Sequence, residues 1–166
     1  MKPRLSALLL LAAVSAAGCG GNQTSRPPAA GAEWVPHKGA GYTLETPRGW
    51  TVRSESKTGR LDIQGTAREQ LIVWPVFIPG TLDAASGPAV LRKLSAALWT
   101  EARWEAAQPL GAAALRARGR AGDRALVAAL VWVPSAKGTA AYLYAVAAPE
   151  TGFRLLEEAF ARVLGS

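Results

Sequence analysis

The chain has 166 residues, 19 basic against 12 acidic groups and a formal charge of +7, enough for one ordinary domain core. A single cysteine excludes a disulfide within the chain. A single histidine, His37, gives no weight to a His/Cys metal cluster or to a Ser-His or Cys-His catalytic pair.

At the N-terminus, Lys2 and Arg4 precede an apolar run, Leu5 to Val14, and small residues from Ser15 to Gly18. This is the layout of a secretory signal, and the apolar run is shorter than the roughly 20 residues that span a bilayer. Cys19 follows directly, and three readings of it compete. One is an intermolecular disulfide through an exposed thiol. Another is ordinary cleavage after Ala17, with Ser15 and Ala17 as the small-x-small pair, which leaves a free reactive thiol. The third is lipidation. The string "AAGC", Ala16 to Cys19, resembles the lipobox of bacterial lipoproteins, with Ala16 standing where leucine is commoner. That resemblance implies a diacylglycerated Cys19, cleavage just before it and an acylated new amine, and several acyl chains anchor stably where one does not. We adopt it, with residues 1–18 as the signal peptide. Gly20, in place of the aspartate that favours inner-membrane retention, favours the outer membrane, facing the periplasm, in an organism that has one. The mature chain then carries 17 basic and 12 acidic groups, a net of +5. Its charge suits anionic headgroups or acidic polymers. Export argues against nucleic acid as a partner.

Residues 19–32 contain no large apolar side chain and abundant Gly, Pro, Ser and Asn, which predicts a disordered tether with an extended reach of roughly 45 Å. One domain is expected over 33–166. Tyr42 and Leu44, then Trp50 and Val52, recur at strand period around Thr46-Pro47-Arg48-Gly49, which predicts a hairpin with Pro47 at i+1 of a type I turn. A charged loop from Ser54 to Gly59 leads to a short strand near Leu61 and Ile63. The runs Leu71 to Pro79 and Leu126 to Val133 are apolar on both parities, as strands covered on both faces are. Pro75 cannot donate to a ladder and predicts a bulge or an edge at that point. Pro88, Leu91, Leu94 and Leu98 predict a helix. Another strand follows the turn at Ser135 to Gly138. Phe153, Leu156, Phe160 and Val163 form the apolar stripe of a closing helix. The fold class is therefore α+β, an antiparallel sheet with helices packed on its faces.

The order from "YTLETPRGW" through a buried strand, a helix and a β-meander to "FRLLEEAFARVLGS" resembles the PsbP/Mog1-like α-β-α sandwich domains, including lipoproteins of the DcrB and LpqN kind. The resemblance spans Gly41 to Ser166. It implies a binding or accessory module with no shared catalytic set.

The string "SESKTG", Ser54 to Gly59, holds both a Ser-x-x-Lys and a Lys-Thr-Gly, but both use Lys57, where the acyl-transfer enzymes place them on separate elements. A solvated turn is the expectation. Arg116, Arg118 and Arg120 alternate, so on a strand they share one face and could bind phosphates or carboxylates, or simply keep a sheet face wet. A two-residue loop at Gly122-Asp123 would put Ala125, Val127 and Ala129 on that same face, while a three-residue loop would reverse it. Trp34 and Trp104 lie outside strongly periodic segments and are candidate aromatic contacts if exposed. No catalytic residue, metal or cofactor is expected. The leading function is a non-enzymatic, lipid-tethered envelope domain that binds or assists a protein partner. The alternative is a lipoprotein carrying a small acidic or lipidic molecule between sheet and helix, which requires a deep apolar pocket near Arg116 to Arg120. Partner identity and oligomeric state stay open.

Overall fold

The computed structural model describes residues 33–39 and 41–150, together with Phe153 and Glu157. The signal peptide, the tether with Cys19 and most of the closing helix expected from sequence lie outside the described residues.

Ten strands and one helix follow in chain order: β1 (Trp34–Gly39), β2 (Tyr42–Pro47), β3 (Thr51–Glu55), β4 (Arg60–Gln64), β5 (Gln70–Ile78), α1 (Gly87–Leu98), β6 (Arg103–Trp104), β7 (Gln108–Pro109), β8 (Ala114–Ala121), β9 (Arg124–Ser135) and β10 (Gly138–Pro149). Eight form one antiparallel sheet in the order β3-β4-β5-β10-β9-β8-β6, with β7 also on β8, while β1 and β2 pair with each other alone. The fold is thus α+β, as the hydrophobic pattern predicts.

The centre of the sheet is β5, β10 and β9, the segments that are apolar on both parities. Their two faces enter separate cores. Leu71, Val73, Val127, Ala129, Tyr144 and Val146 pack with Leu44 and Tyr42 from the β1–β2 hairpin and with Phe153. Ile72, Leu130, Trp132, Leu143 and Ala145 pack with Leu91, Leu94 and Leu98 of α1. The helical spacing of those leucines gives α1 its one buried stripe. Thr139, fully buried on β10, holds the connection into α1 by donating to the Gly80 carbonyl (2.9 Å) and accepting from the Leu82 amide (3.1 Å).

Two local expectations change. The hairpin expected between Tyr42–Leu44 and Trp50–Val52 does not form, because β2 pairs backwards with β1 and β3 pairs forwards with β4. The turn between them is shifted by one residue. Trp50 donates to the Pro47 carbonyl (3.3 Å) and Gly49, at φ +92°, takes the i+2 position of a type II turn. That turn passes the chain from one sheet to the other instead of reversing it within one. Pro75 meets its expectation: the β4 ladder stops at Val73, so at Pro75 only β10 flanks β5, and no donor is missed on the open side.

Candidate functional site

β8 carries the arginine stripe, and its register with β9 is the one the two-residue loop requires. Ala121 faces Arg124 across Gly122-Asp123, so Arg120, Arg118 and Arg116 lie opposite Ala125, Val127 and Ala129. Gly122 has φ +60° while Asp123 stays outside the positive-φ region, the backbone pattern of a II′ turn. The other parity of β8, with Leu115 and Ala117, enters the core under α1.

The stripe is not an open rack of cations. Arg118 Nη2 donates to Glu157 Oε1 and Arg120 Nη2 to Glu150 Oε2, each at 2.8 Å. Arg116 is half-buried and makes no ion pair among the described residues. Two of the three arginines therefore neutralise the acidic residues that follow β10, and exposed pairs of this kind contribute about 0–1 kcal/mol each. Their effect is to hold Glu150 and Glu157 against the outer face of β8.

The tryptophans are turned inward in part. Trp104 is half-buried on β6, packs against the α1-side core with its Nε1 buried, and stands 6.2 Å from Trp99 between ring centroids. Gly119 makes room for it: a Cβ there would lie 2.7 Å from the Arg103 carbonyl oxygen and 2.8 Å from the Trp104 ring. Trp34 is half-buried on β1, opposite Pro47.

His37 has a structural partner, its Nε2 hydrogen-bonded to Thr46 Oγ1 at 2.8 Å across the β1–β2 pair. The "SESKTG" string forms the β3–β4 turn, where Thr58 donates to Glu55 Oε2 (2.8 Å) and the Gly59 amide to the Glu55 carbonyl (2.8 Å). Ser54 and Lys57 are exposed there. Among the described residues no group of three or more His, Cys, Asp or Glu could hold a metal ion, and no helix is long and apolar enough to cross a membrane.

Two cavities bear on a ligand. The one between α1 and the sheet, lined by Leu91, Ser95, Trp104 and Ala117, measures about 20 Å³. That is room for about one water. Ser95 Oγ and Trp104 Nε1, both buried without a partner among the described residues, are the polar groups such a water would bridge. The other, about 240 Å³, is a polar hollow at the β4–β5 loop, lined by Gln64, Arg68, Glu69, Gln70 and Arg124. There Arg68, in the left-handed region at φ 67°, forms a bidentate pair with Asp123 (3.0 and 3.4 Å). That hydrogen-bonded charge holds the Asp123 carboxyl below its ordinary pKa. Arg124 Nη2 reaches the Arg68 and Ala147 carbonyls at 3.3 and 3.4 Å. Its Nε is buried without a partner among the described residues, and burial, then the neighbouring Arg68 charge, lowers its pKa.

One surface escapes the sequence reading altogether. Phe77 and Val133 belong to runs expected to be covered on both faces, yet they are 60% and 46% exposed. The register places Phe77 opposite Ala140 and Ala140 opposite Val133, one row across β5, β10 and β9. Cover on this face stops one row earlier, at Tyr142, where Tyr42 of the β1–β2 hairpin stacks edge-on at 6.0 Å. The prolines beside the row, Pro79 and Pro134, were the available signal that these strands run out beyond the core.

No protein-family model and no curated protein sequence matches this chain.

Proposed function

We propose that the protein is a non-enzymatic, lipid-tethered domain of the cell envelope that binds or assists a protein partner through its outer surface. The observation that carries this reading is the cavity lined by Leu91, Ser95, Trp104 and Ala117 on the α1 side of the sheet: it holds about 20 Å³, against the 300–1,000 Å³ typical of a small-molecule site. Two of the three stripe arginines are engaged within the chain, so they serve assembly of the domain first. The "AAGC" string at Cys19 supports the tether. The finer fold reading, a PsbP/Mog1-like α-β-α sandwich, is supported by α1 on one face of the sheet and by helical Phe153 packed on the other.

Two measurements test this. Mass spectrometry of the N-terminal peptide should find Cys19 acylated, and Cys19→Ser should release the protein from membranes. Crosslinked pull-down from solubilised envelopes should recover one protein in near-equal amount. An unmodified Cys19 rejects the tether, and recovery of the chain alone rejects the adaptor.

A second reading, a carrier of a small acidic molecule, has one observation in its favour, the polar hollow between Arg68 and Arg124. It moves the ligand from the sheet–helix interface to the end of the sheet. Titration with inorganic phosphate and citrate, read by thermal shift in parent and Arg124→Gln proteins, should give a parent-only shift if this reading holds.

A further inference from the structure

We infer that the end of the sheet bearing Phe77 and Val133 docks on an anionic lipid surface, so that the domain lies down on the membrane that holds its tether. This inference rests on the lipid-tethered reading for its biological setting, but the surface itself is defined by the fold.

The apolar part is the row Phe77, Ala140 and Val133, whose outer members stand about 10 Å apart by strand spacing. The Phe77 ring lies over Gly138, where a Cβ would be 2.7 Å from its ring edge, so it is held as an outward plate on the β9–β10 turn. These are the two large hydrophobic side chains that are exposed among the described residues, and they stand together.

Three lysines lie in or beside the turns at this end of the sheet. Lys137 sits in the β9–β10 turn, immediately before Gly138. Lys57 sits in the β3–β4 turn, where a Cβ at Gly59 would lie 3.4 Å from the ring of Pro75. Lys38 precedes the β1–β2 turn, and Gly41 in that turn rests against the Tyr142 hydroxyl. Three of the four lysines among the described residues thus gather at one end, with Glu55 beside Lys57 as a nearby carboxylate. An aromatic and an aliphatic side chain at an end that also carries long cationic ones is the composition that inserts shallowly at headgroup level. A protein partner would match an apolar row as well, but the lysines favour a surface with many anionic groups and no fixed geometry.

The tether is long enough. Trp34, opposite Pro47, lies at the far end of the sheet, since Trp50, three residues on from Pro47, packs at Gly65. Seven residue steps along β10, from Ala147 at the Gln70 level to Ala140 at the Phe77 level, separate the two ends by about 24 Å. The fourteen residues before Glu33 reach roughly 45 Å when extended, so Cys19 can sit in the bilayer with this end down. A tether also raises the effective concentration at which a weak surface acts.

The test uses the chain from residue 19 onward with Cys19→Ser, so that acylation contributes nothing, and vesicles of phosphatidylcholine alone or mixed equally with phosphatidylglycerol. Co-sedimentation should show binding to the anionic vesicles only, weakened at least about tenfold by Lys57→Glu/Lys137→Glu and by raised salt. Phe77→Ser/Val133→Ser should weaken it while the far-ultraviolet circular dichroism stays that of the parent. Because Cys19→Ser leaves no other thiol, an environment-sensitive fluorophore can be placed at Phe77→Cys or, at the far end, at Ala67→Cys. The first should shift to the blue on anionic vesicles and the second should not. Equal shifts, equal binding to neutral vesicles, or no binding overturns the proposal, as does protection of the label at position 77 by an envelope protein or by self-association in place of lipid. Failure here with Cys19 acylated in the natural protein rejects the surface alone. Success with Cys19 unmodified rejects the tether alone.

Discussion

Arg68 and Asp123 stand 55 residues apart in the chain and meet in a bidentate ion pair that ties the β4–β5 loop to the β8–β9 turn. Both side chains are about two-thirds exposed, at 65% each, so solvent screening keeps the pair weak. Arg68 also holds φ 67°, a conformation that costs a non-glycine residue about 1 kcal/mol. Arg68→Gly should therefore leave stability within about 1 kcal/mol of the parent, the lost pair offset by the relieved backbone. Arg68→Val, which keeps the strain and adds a β-branch, should cost about 1–2 kcal/mol by urea unfolding.

The Asp123 carboxyl gives that same pair a pH signature. Its pKa is lowered in the folded state, by Arg68 first, so its contribution is complete above the unfolded carboxylate value and is lost as pH falls through the folded one. Asp123→Asn should flatten the dependence of stability on pH below about pH 4, its cost being present at neutrality and vanishing in acid. Urea midpoints measured across that acid range check it.

Tyr144 predicts the opposite limb. Burial, then the neighbouring Tyr142 and Tyr42, pushes its phenol from 10.0 up to about 12. A folded pKa raised above the unfolded one gives stability that is whole below pH 10 and is lost as pH rises towards 12. The slope should be about 1.4 kcal/mol per pH unit in that window. Tyr144→Phe should remove most of this slope, and absorbance titration at about 295 nm should show one tyrosine ionising last in the parent.

Leu44 tests whether the small β1–β2 sheet is part of the cooperative fold. Its side chain is fully buried against the main sheet, in one core with Ile63 and Val146. Leu44→Ala should cost about 2–5 kcal/mol and should speed amide exchange in the β1–β2 ladder before the rest of the sheet. A cost below about 1 kcal/mol would mean that the hairpin docks without contributing to the core.

Gly119 tests the packing under the arginine stripe. Because a Cβ there meets the Arg103 carbonyl and the Trp104 ring, Gly119→Ala should cost about 1–3 kcal/mol and shift tryptophan emission as Trp104 is displaced. Arg118→Ala, next to it on the outer face, should cost under about 1 kcal/mol.

The sequence by itself determined the elements whose neighbours are near in the chain or whose pattern admits one solution. Leu91, Leu94 and Leu98 fix one face of a helix, Gly122-Asp123 marks a turn whose loop length, and with it the β8–β9 register, stays open, and the doubly apolar runs of β5 and β9 require cover on both faces. Tertiary structure decided what depends on partners distant in the chain. Thr46-Pro47-Arg48-Gly49 marks a turn in either arrangement, but whether Tyr42–Leu44 pairs with Val52 or with Trp34–Gly39 turns on which sheet each strand can join. The same holds for charge: Arg118 and Arg120 alternate visibly on β8, yet Glu150 and Glu157, which neutralise them, come to that face only when β10 has been placed beside β9. Phe77 and Val133 are the reverse case. An apolar residue in an apolar run reads as buried, and only the point at which the β1–β2 hairpin stops, at Tyr142, leaves them facing outward. Local pattern specifies what a segment must bury or reverse, because side-chain direction and backbone torsion are properties of a few consecutive residues. Which surface remains uncovered is a property of how far each packed layer extends, and no short stretch of sequence contains that length.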